Sequence, residues 1–180
     1  HVVMGNHDAA LAGRMELRWF NANAVRAIEF SRKLMTGEGL AYIASLPEKA
    51  GTADFSVVHG SPRKPLTEYM LSESQFLDNL DAIEVSPCFI GHSHMPLYFR
   101  LGGKGMPETG FLKPMTSVGA AAGKVVINPG SVGQPRDGDP RAACGIYDAA
   151  SKAFELYRVP YDVLKVQRMM EGLGMPAILS

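Results

Sequence analysis

The chain has 180 residues, 46% of them apolar, and its 18 basic residues balance 18 acidic ones. This length supports one domain with a sizeable core, whereas the zero net charge argues against a surface that holds nucleic acid polymers non-specifically. No apolar run approaches the roughly 20 residues that a membrane-spanning helix needs, and Cys88 and Cys144 lie in apolar strand-like runs that predict buried thiols in a reducing, cytoplasmic setting.

The first helices are predicted from their ends. Residues 22–35 predict a helix with Asn21 or Asn23 as its N-cap, because either side chain can accept a hydrogen bond from a free backbone N–H. Residues 39–46 predict a shorter helix, which ends before Pro47 because proline cannot continue it.

A capping box marks the next helix. Ser72 and Gln75 have the spacing at which each side chain can bond the other's backbone N–H, so residues 72–80 are expected to be helical. Its expected buried stripe consists of Phe76, Leu77, Leu80 and Ile83.

Strands are expected where short apolar runs are bounded by turn residues. These runs cover residues 55–59, 87–90, 97–101, 124–128, 142–147 and 153–159. Glycines predict a turn at 102–105, and residues 148–152 predict a hairpin connection. Asp162 then caps a last helix that runs to about Gly172. The elements alternate at first and become mainly β after about residue 103, so the predicted fold class is α/β.

Four of the five histidines lie in three short segments, each preceded by an apolar, strand-like run. The segments read Gly-Asn-His-Asp at 5–8, His-Gly-Ser-Pro at 59–62 and Gly-His-Ser-His at 91–94, after runs at 2–4, 55–58 and 88–90. Side chains at strand ends can converge on one point, so the pattern predicts a metal site. Imidazole suits Zn, Mn, Fe, Co and Ni, and mixed nitrogen and oxygen donors without cysteine are typical of a hydrolytic site.

Together with Asn-Pro-Gly-Ser at 128–131, these segments resemble the ordered motifs of calcineurin-like metallophosphoesterases. The longer stretch 128–137 is similar to the bacterial, single-domain branch of that family. The resemblance implies a four-layer αββα sandwich of two mixed β-sheets flanked by helices, with the site at the carboxyl ends of strands. It also implies two divalent transition-metal ions (Mn, Fe, Zn, Co or Ni) that support hydrolysis of phosphoester bonds.

The resemblance further implies roles for individual residues. Asn6, His59 and His92 would bind one metal ion and His94 the other. His7 would be the general acid or the donor that stabilises the transition state, oriented by Asp8.

The family pattern begins with Asp-x-His on a first strand and Gly-Asp on a second, and this sequence contains neither at its start. Residues 1–180 are therefore expected to be the C-terminal part of a single metallophosphoesterase domain, lacking the first βαβ portion. We expect the missing N-terminal segment of the same protein to be its partner, and these 180 residues alone to be inactive.

Basic residues near the histidine segments are candidate phosphate contacts. Arg136 could clamp phosphate, because its planar guanidinium matches two phosphate oxygens. Arg63 and Lys64, which follow the segment of His59, are alternatives. Asp137 could instead pair with a neighbour and take no part in the chemistry.

The substrate is expected to be a small phosphodiester or a nucleotide, since no large insertion suggests a capping domain for protein substrates. The alternative function is a catalytically inactive, metal-stabilised binding scaffold of the same fold. A β-lactamase-like metallohydrolase is disfavoured, because that class requires a His-x-His-x-Asp-His cluster and here His94 is followed by Met95 and Pro96.

Overall fold

The computed structural model describes residues 1–102 and 105–175. The helices are α1 (Asn6–Leu11), α2 (Ala22–Leu34), α3 (Gly37–Ser45), α4 (Glu73–Asn79) and α5 (Val163–Gly172), with 3₁₀ turns at Leu17–Trp19 and Leu80–Ala82. The strands are β1 (Lys49–Gly51), β2 (Ser56–Val58), β3 (Cys88–Phe89), β4 (Pro96–Leu101), β5 (Pro107–Phe111), β6 (Ser117–Gly119), β7 (Val125–Pro129), β8 (Ala142–Asp148) and β9 (Ala153–Val159). The turn predicted at 102–105 includes residues 103 and 104, which lie outside the described residues.

The strands form two sheets within the described residues. Sheet A has the order β1-β2-β3-β7-β4-β5, and sheet B has the order β6-β9-β8. In the middle of sheet A, β2, β3 and β7 run parallel, with Val57 beside Phe89 and Phe89 beside Ile127. The outer pairs of sheet A and the named pairs of sheet B are antiparallel. The predicted α/β class is confirmed, and the mixed strand directions belong to sheet A. The three parallel strands bring their carboxyl ends to one edge.

Sheet A is covered on both faces. One face carries Phe99 and Val126, which pack with Phe76 of α4 in one apolar cluster. The opposite face carries Ile127, which packs with Phe154 of sheet B in a second cluster. Burial on both faces fixes the strand register, because a slip of one residue would turn each apolar side chain to the wrong face.

The predicted capping residues are found at the helix starts. Asn21 accepts a hydrogen bond from the N–H of Ala24 at 2.9 Å, and Asp162 accepts one from Lys165 at 2.8 Å. Ser72 and Gln75 form the expected capping box of α4. The helix expected at 39–46 begins earlier, because Thr36 caps it at Gly37.

Three expectations on local structure are corrected. Residues 2–4 do not form a strand; Met4 instead packs beneath α1 and donates its N–H to the carbonyl of Pro47 at 2.8 Å. Leu77 is 43% exposed, and the polar Asn79 takes the buried position on α4. Cys144 is exposed because β8 is the edge strand of sheet B and its neighbour Ala143 faces the core.

The short strands β1, β5 and β6 were not predicted. They contain glycine and proline, including Pro107 and Gly110 in β5, which lower the strand propensity of their segments. Pairing with β4 at five positions nevertheless keeps β5 in the sheet. None of the helices in the described part of the chain is long and apolar enough to cross a bilayer.

Candidate metal-binding and catalytic site

Two of the three histidine segments lie at the carboxyl edge of sheet A. His59 directly follows β2, and the turn that contains His92 and His94 follows β3. The N–H of Gly91 donates to the carbonyl of His59 at 2.8 Å and so extends the parallel pairing beyond the strands. The third segment starts α1, which places Asn6 and His7 in the same cleft as these histidines.

The side chains of Asn6, His59 and His92 converge. The Nε2 atom of His59 lies 3.0 Å from Oδ1 of Asn6 and 3.1 Å from Nδ1 of His92. The first pair is separated by 53 residues in sequence and the second by 33. The structure thus brings together the three residues that the resemblance assigned to one metal ion.

The donor set fits a transition-metal ion. Adjacent ligands of an octahedral ion, each about 2.1 Å from it, are about 3.0 Å apart, which matches the 3.0 and 3.1 Å separations here. Nε2 of His59 carries at most one proton, so it cannot bond well to both neighbours. A cation that accepts all three lone pairs removes this conflict. No group of three or more His, Cys, Asp or Glu suited to a metal occurs within residues 1–102 and 105–175, so this cluster depends on the amide of Asn6.

Burial keeps the two central imidazoles neutral. It lowers the pKa of His59 to about 4, and the nearby charges of His94 and His7 act in the same direction. Burial also lowers the pKa of His92 to about 4, assisted by His59. At neutral pH both rings therefore have the uncharged form that ligates metals.

The turn of His92 and His94 has an unusual backbone. His92 has φ 63° and His94 has φ 58°, a left-handed conformation that side chains other than glycine adopt rarely. Asn128 of β7 supports this turn, because its Nδ2 donates to the carbonyl of Gly91 at 2.7 Å and to Oγ of Ser93 at 2.9 Å. Apart from its place in the Asn-Pro-Gly-Ser motif, nothing in the sequence indicates this supporting role of Asn128.

His94 faces the cleft in a fixed tautomer. Its Nδ1 lies 2.8 Å from the carbonyl oxygen of Gln134, and since a carbonyl only accepts, Nδ1 carries the proton. Nε2 is left with a lone pair, the arrangement usual for a metal-binding histidine whose other nitrogen donates to a backbone carbonyl. This tautomer suits His94 to a metal ion, and its assignment to a second ion stays a prediction.

His7 lies at the start of α1, beside the convergent cluster. Its ring meets that of Phe20 edge to face, with centroids 5.1 Å apart. Burial lowers the pKa of His7, and the charge of Asp8 partly opposes this effect. The Oδ2 atom of Asp8 accepts the N–H of Gly5 at 2.9 Å, so Asp8 acts on His7 through its charge and stabilises the start of α1.

The candidate phosphate contacts differ in whether they line the cleft of the histidines. Arg136 is exposed and lines a cleft of about 570 Å³ with His7, His59 and His94. Lys64 is exposed but does not line that cleft. Asp137 pairs with the buried Arg158, as the alternative interpretation expected.

Arg63 is corrected as a candidate phosphate contact, because it belongs to a network beneath the loop of His59. Its guanidinium pairs with Glu68 at 2.5 Å and with Asp78 at 3.2 Å. Glu68 also accepts from Ser61 at 2.5 Å and from Asn79 at 2.9 Å. These bonds lower the pKa of Glu68 to about 2 and hold the loop in place.

Tyr69 is a site residue that the sequence did not reveal. Its ring stacks on the ring of His92, with centroids 3.9 Å apart and an angle of 17° between the planes. Tyr69 directly follows Glu68 in the chain, so the network beneath the loop also positions this ring. A tyrosine 23 residues before its partner in the printed sequence gives no local signal of such a contact.

Comparisons with known proteins agree with this geometry. Residues 1–152 match the model of the calcineurin-like phosphoesterase superfamily domain. The chain is 32% identical over 187 residues to the uncharacterized protein MJ0912 of Methanocaldococcus jannaschii, covering 96% of this chain and 72% of that protein. The crystal structure of a metallophosphoesterase from Sphaerobacter thermophilus matches with a TM-score of 0.85 and 37% identity, over 98% of this chain and 73% of that one. The hypothetical protein PH1004 from Pyrococcus horikoshii OT3 shares the fold, with a TM-score of 0.75 and 17% identity, over 99% of this chain and 69% of that one.

Proposed function

The chain belongs to the calcineurin-like phosphoesterase superfamily, and from this premise we propose that it contributes four ligands to a dinuclear site that, in the intact protein, hydrolyses a small phosphodiester or nucleotide. Metal-dependent phosphoester hydrolysis is the general chemistry of this family. The observation that supports our proposal is the convergence of Asn6, His59 and His92 at 3.0 and 3.1 Å.

The ligands divide between two positions. Asn6, His59 and His92 would hold one divalent ion, and Nε2 of His94 would contribute to the other. Bound divalent cations supply Lewis acidity toward phosphoryl oxygens and lower the pKa of coordinated water. Ligands outside the residues described here would complete both positions.

The remaining residues act on the substrate itself. The guanidinium of Arg136 binds phosphoryl oxygens, since it is the exposed cation on the wall of the cleft. The ring of His7 either donates its proton to the leaving oxygen or stabilises charge on the phosphoryl group. Its packing against Phe20 holds the ring at the mouth of the site. A cytoplasmic location and the absence of a nucleic acid polymer as partner remain predictions.

A paired substitution tests the assignment. In the intact protein, His7→Ala should keep the metal content and lower kcat by about 10²–10⁴-fold, the usual contribution of a positioned proton donor. His92→Ala should lose metal first, and its activity should fall with the metal content. Metal stoichiometry measured beside kcat separates the two roles.

Two results would contradict this proposal. If His7→Ala loses as much metal as His92→Ala, His7 is a ligand and the roles are wrongly assigned. If the metal-loaded wild-type protein hydrolyses no phosphoester, the inactive binding scaffold becomes the better interpretation.

A further inference from the structure

A second cleft adjoins the histidine cluster. Its volume is about 400 Å³, and its lining combines site residues with apolar ones. The lining residues that it shares with the cleft of the histidines are Asn6, Trp19, Phe20, Tyr69 and His92. A group bound in the second cleft would therefore touch the same aromatic side chains that border the proposed phosphate position.

Aromatic rings dominate the boundary between the two clefts. Trp19, the one tryptophan of the sequence, is 72% exposed, and Tyr69 is 40% exposed. The apolar side chains of Met15 and Leu66 also line the second cleft. Large aromatic side chains left open beside a polar site are suited to stacking with a ligand ring, which requires little orientation beyond a flat surface.

The rings are held in place from the protein side. Tyr69 stacks on His92 at 3.9 Å, and Phe20 packs edge to face on His7 at 5.1 Å. The guanidinium of Arg18 lies 5.8 Å from the centroid of the Trp19 ring. Tyr69 and Phe20 are thus positioned by packing, so placing these two rings against a ligand ring costs little conformational entropy.

We propose that this second cleft is a subsite for a planar aromatic ring carried by the leaving group of the phosphoester, either the base of a nucleoside or the aryl ring of a phenol. The inference rests on the proposed function. The position of His7 indicates which part of the substrate binds in the second cleft. In its role as proton donor, His7 lies at the leaving oxygen, and its ring contacts Phe20, so a group attached to that oxygen lies beside Phe20 and Trp19, which line both clefts.

Trp19→Ala tests the subsite with little risk to folding, because the side chain is mostly exposed. For hydrolysis of phenyl phosphate the variant should lose about 10-fold in kcat/KM, within the range that stacking on one aromatic residue supports. For methyl phosphate the ratio of variant to wild type should stay near one. Taking this ratio for each substrate cancels the different reactivities of the two leaving groups. Tyr42→Ala is the matched control, since Tyr42 is 57% exposed on α3, away from both clefts.

Binding gives a readout that does not depend on turnover. AMP and phenyl phosphate should change the fluorescence of Trp19 on titration, whereas ribose 5-phosphate and inorganic phosphate should not, and Trp19→Phe should abolish the change. A response to AMP alone identifies a nucleobase as the ring, and a response to phenyl phosphate as well identifies a general aryl subsite.

The outcomes separate this inference from the proposed function. Equal losses on the phenyl and methyl esters, or no loss on either, would overturn the subsite while leaving the phosphoesterase intact. If the metal-loaded protein hydrolyses neither phosphomonoesters nor phosphodiesters, the proposed function fails, and the titration alone decides. A response limited to ligands that carry a ring then supports the subsite, and its absence overturns it.

Discussion

Replacing Glu68 by glutamine should destabilise the protein in a manner that depends on pH. The carboxylate of Glu68 accepts hydrogen bonds from Arg63, Ser61 and Asn79, and its side chain is 10% exposed. Glutamine has the same shape, but its amide group presents N–H donors to partners that also donate. The substitution therefore removes a charge and leaves one or more donors unpaired.

The magnitude follows from the pKa. The shift of Glu68 from 4.5 to about 2 corresponds to about 3 kcal/mol at about 1.36 kcal/mol per pKa unit. The Arg63 side chain is 34% exposed, so screening by solvent reduces the expected effect to about 2 kcal/mol. Because the pKa is lower in the folded state, this stabilisation is complete above pH 4.5 or so and is lost as the pH falls toward about 2.

Urea denaturation at pH 7 and at pH 3 measures the effect. The difference in unfolding free energy between wild type and Glu68→Gln should be about 2 kcal/mol at pH 7 and about half of that at pH 3. Asp78→Asn is the control, because Asp78 also pairs with Arg63 but is 58% exposed, and it should cost less than about 0.5 kcal/mol. A cost for Glu68→Gln that is the same at both pH values, or a cost for Asp78→Asn as large, would refute the reasoning.

Two glycine positions give further predictions. Gly5→Ala places a Cβ 3.2 Å from the ring of His59, so metal affinity should fall by about 10-fold or more in a calorimetric titration; unchanged affinity would show that the ring can move aside without cost. Gly145→Ala brings a Cβ into the ring of Phe154 and should lower stability by about 1–3 kcal/mol. Gly119→Ala, which meets nothing within 4 Å, is the control for Gly145→Ala in thermal melts, and equal costs would contradict the packing argument.

The sequence predicted those parts of the fold that depend on contacts between residues close together in the chain. The capping box of Ser72 and Gln75 and the cap at Asp162 act over three residues, so their helices could be placed in advance. The run at 2–4 has the composition of a strand, but no strand lies beside it in the described structure. Of this run only Met4 is buried, where it packs with Ala9 and Leu46.

In the candidate site, too, residues in local motifs could be predicted from the sequence, and residues placed by distant contacts could not. The histidine segments could be recognised because each is a compact motif, and the structure brings three of their side chains into contact. The contacts of Tyr69 and Asn128 depend on residues far away in the sequence. The positive φ of His92 also has no local signal, since glycine or asparagine is the residue expected there.

The histidines of the cluster follow two adjacent parallel strands, and this arrangement constrains the order in which the site can form. Adjacent parallel strands such as β2 and β3 cannot be joined by a tight hairpin, so His59 and His92 meet only after a crossover of 33 residues has closed. The support from Asn128 adds β7 to this requirement. Contacts over such distances form late and slowly, so a chain emerging from the ribosome acquires the cluster only after β7 has been synthesised. On the proposed assignment, metal binding would report that the centre of sheet A has assembled, and it would favour the completed sheet over partly folded forms.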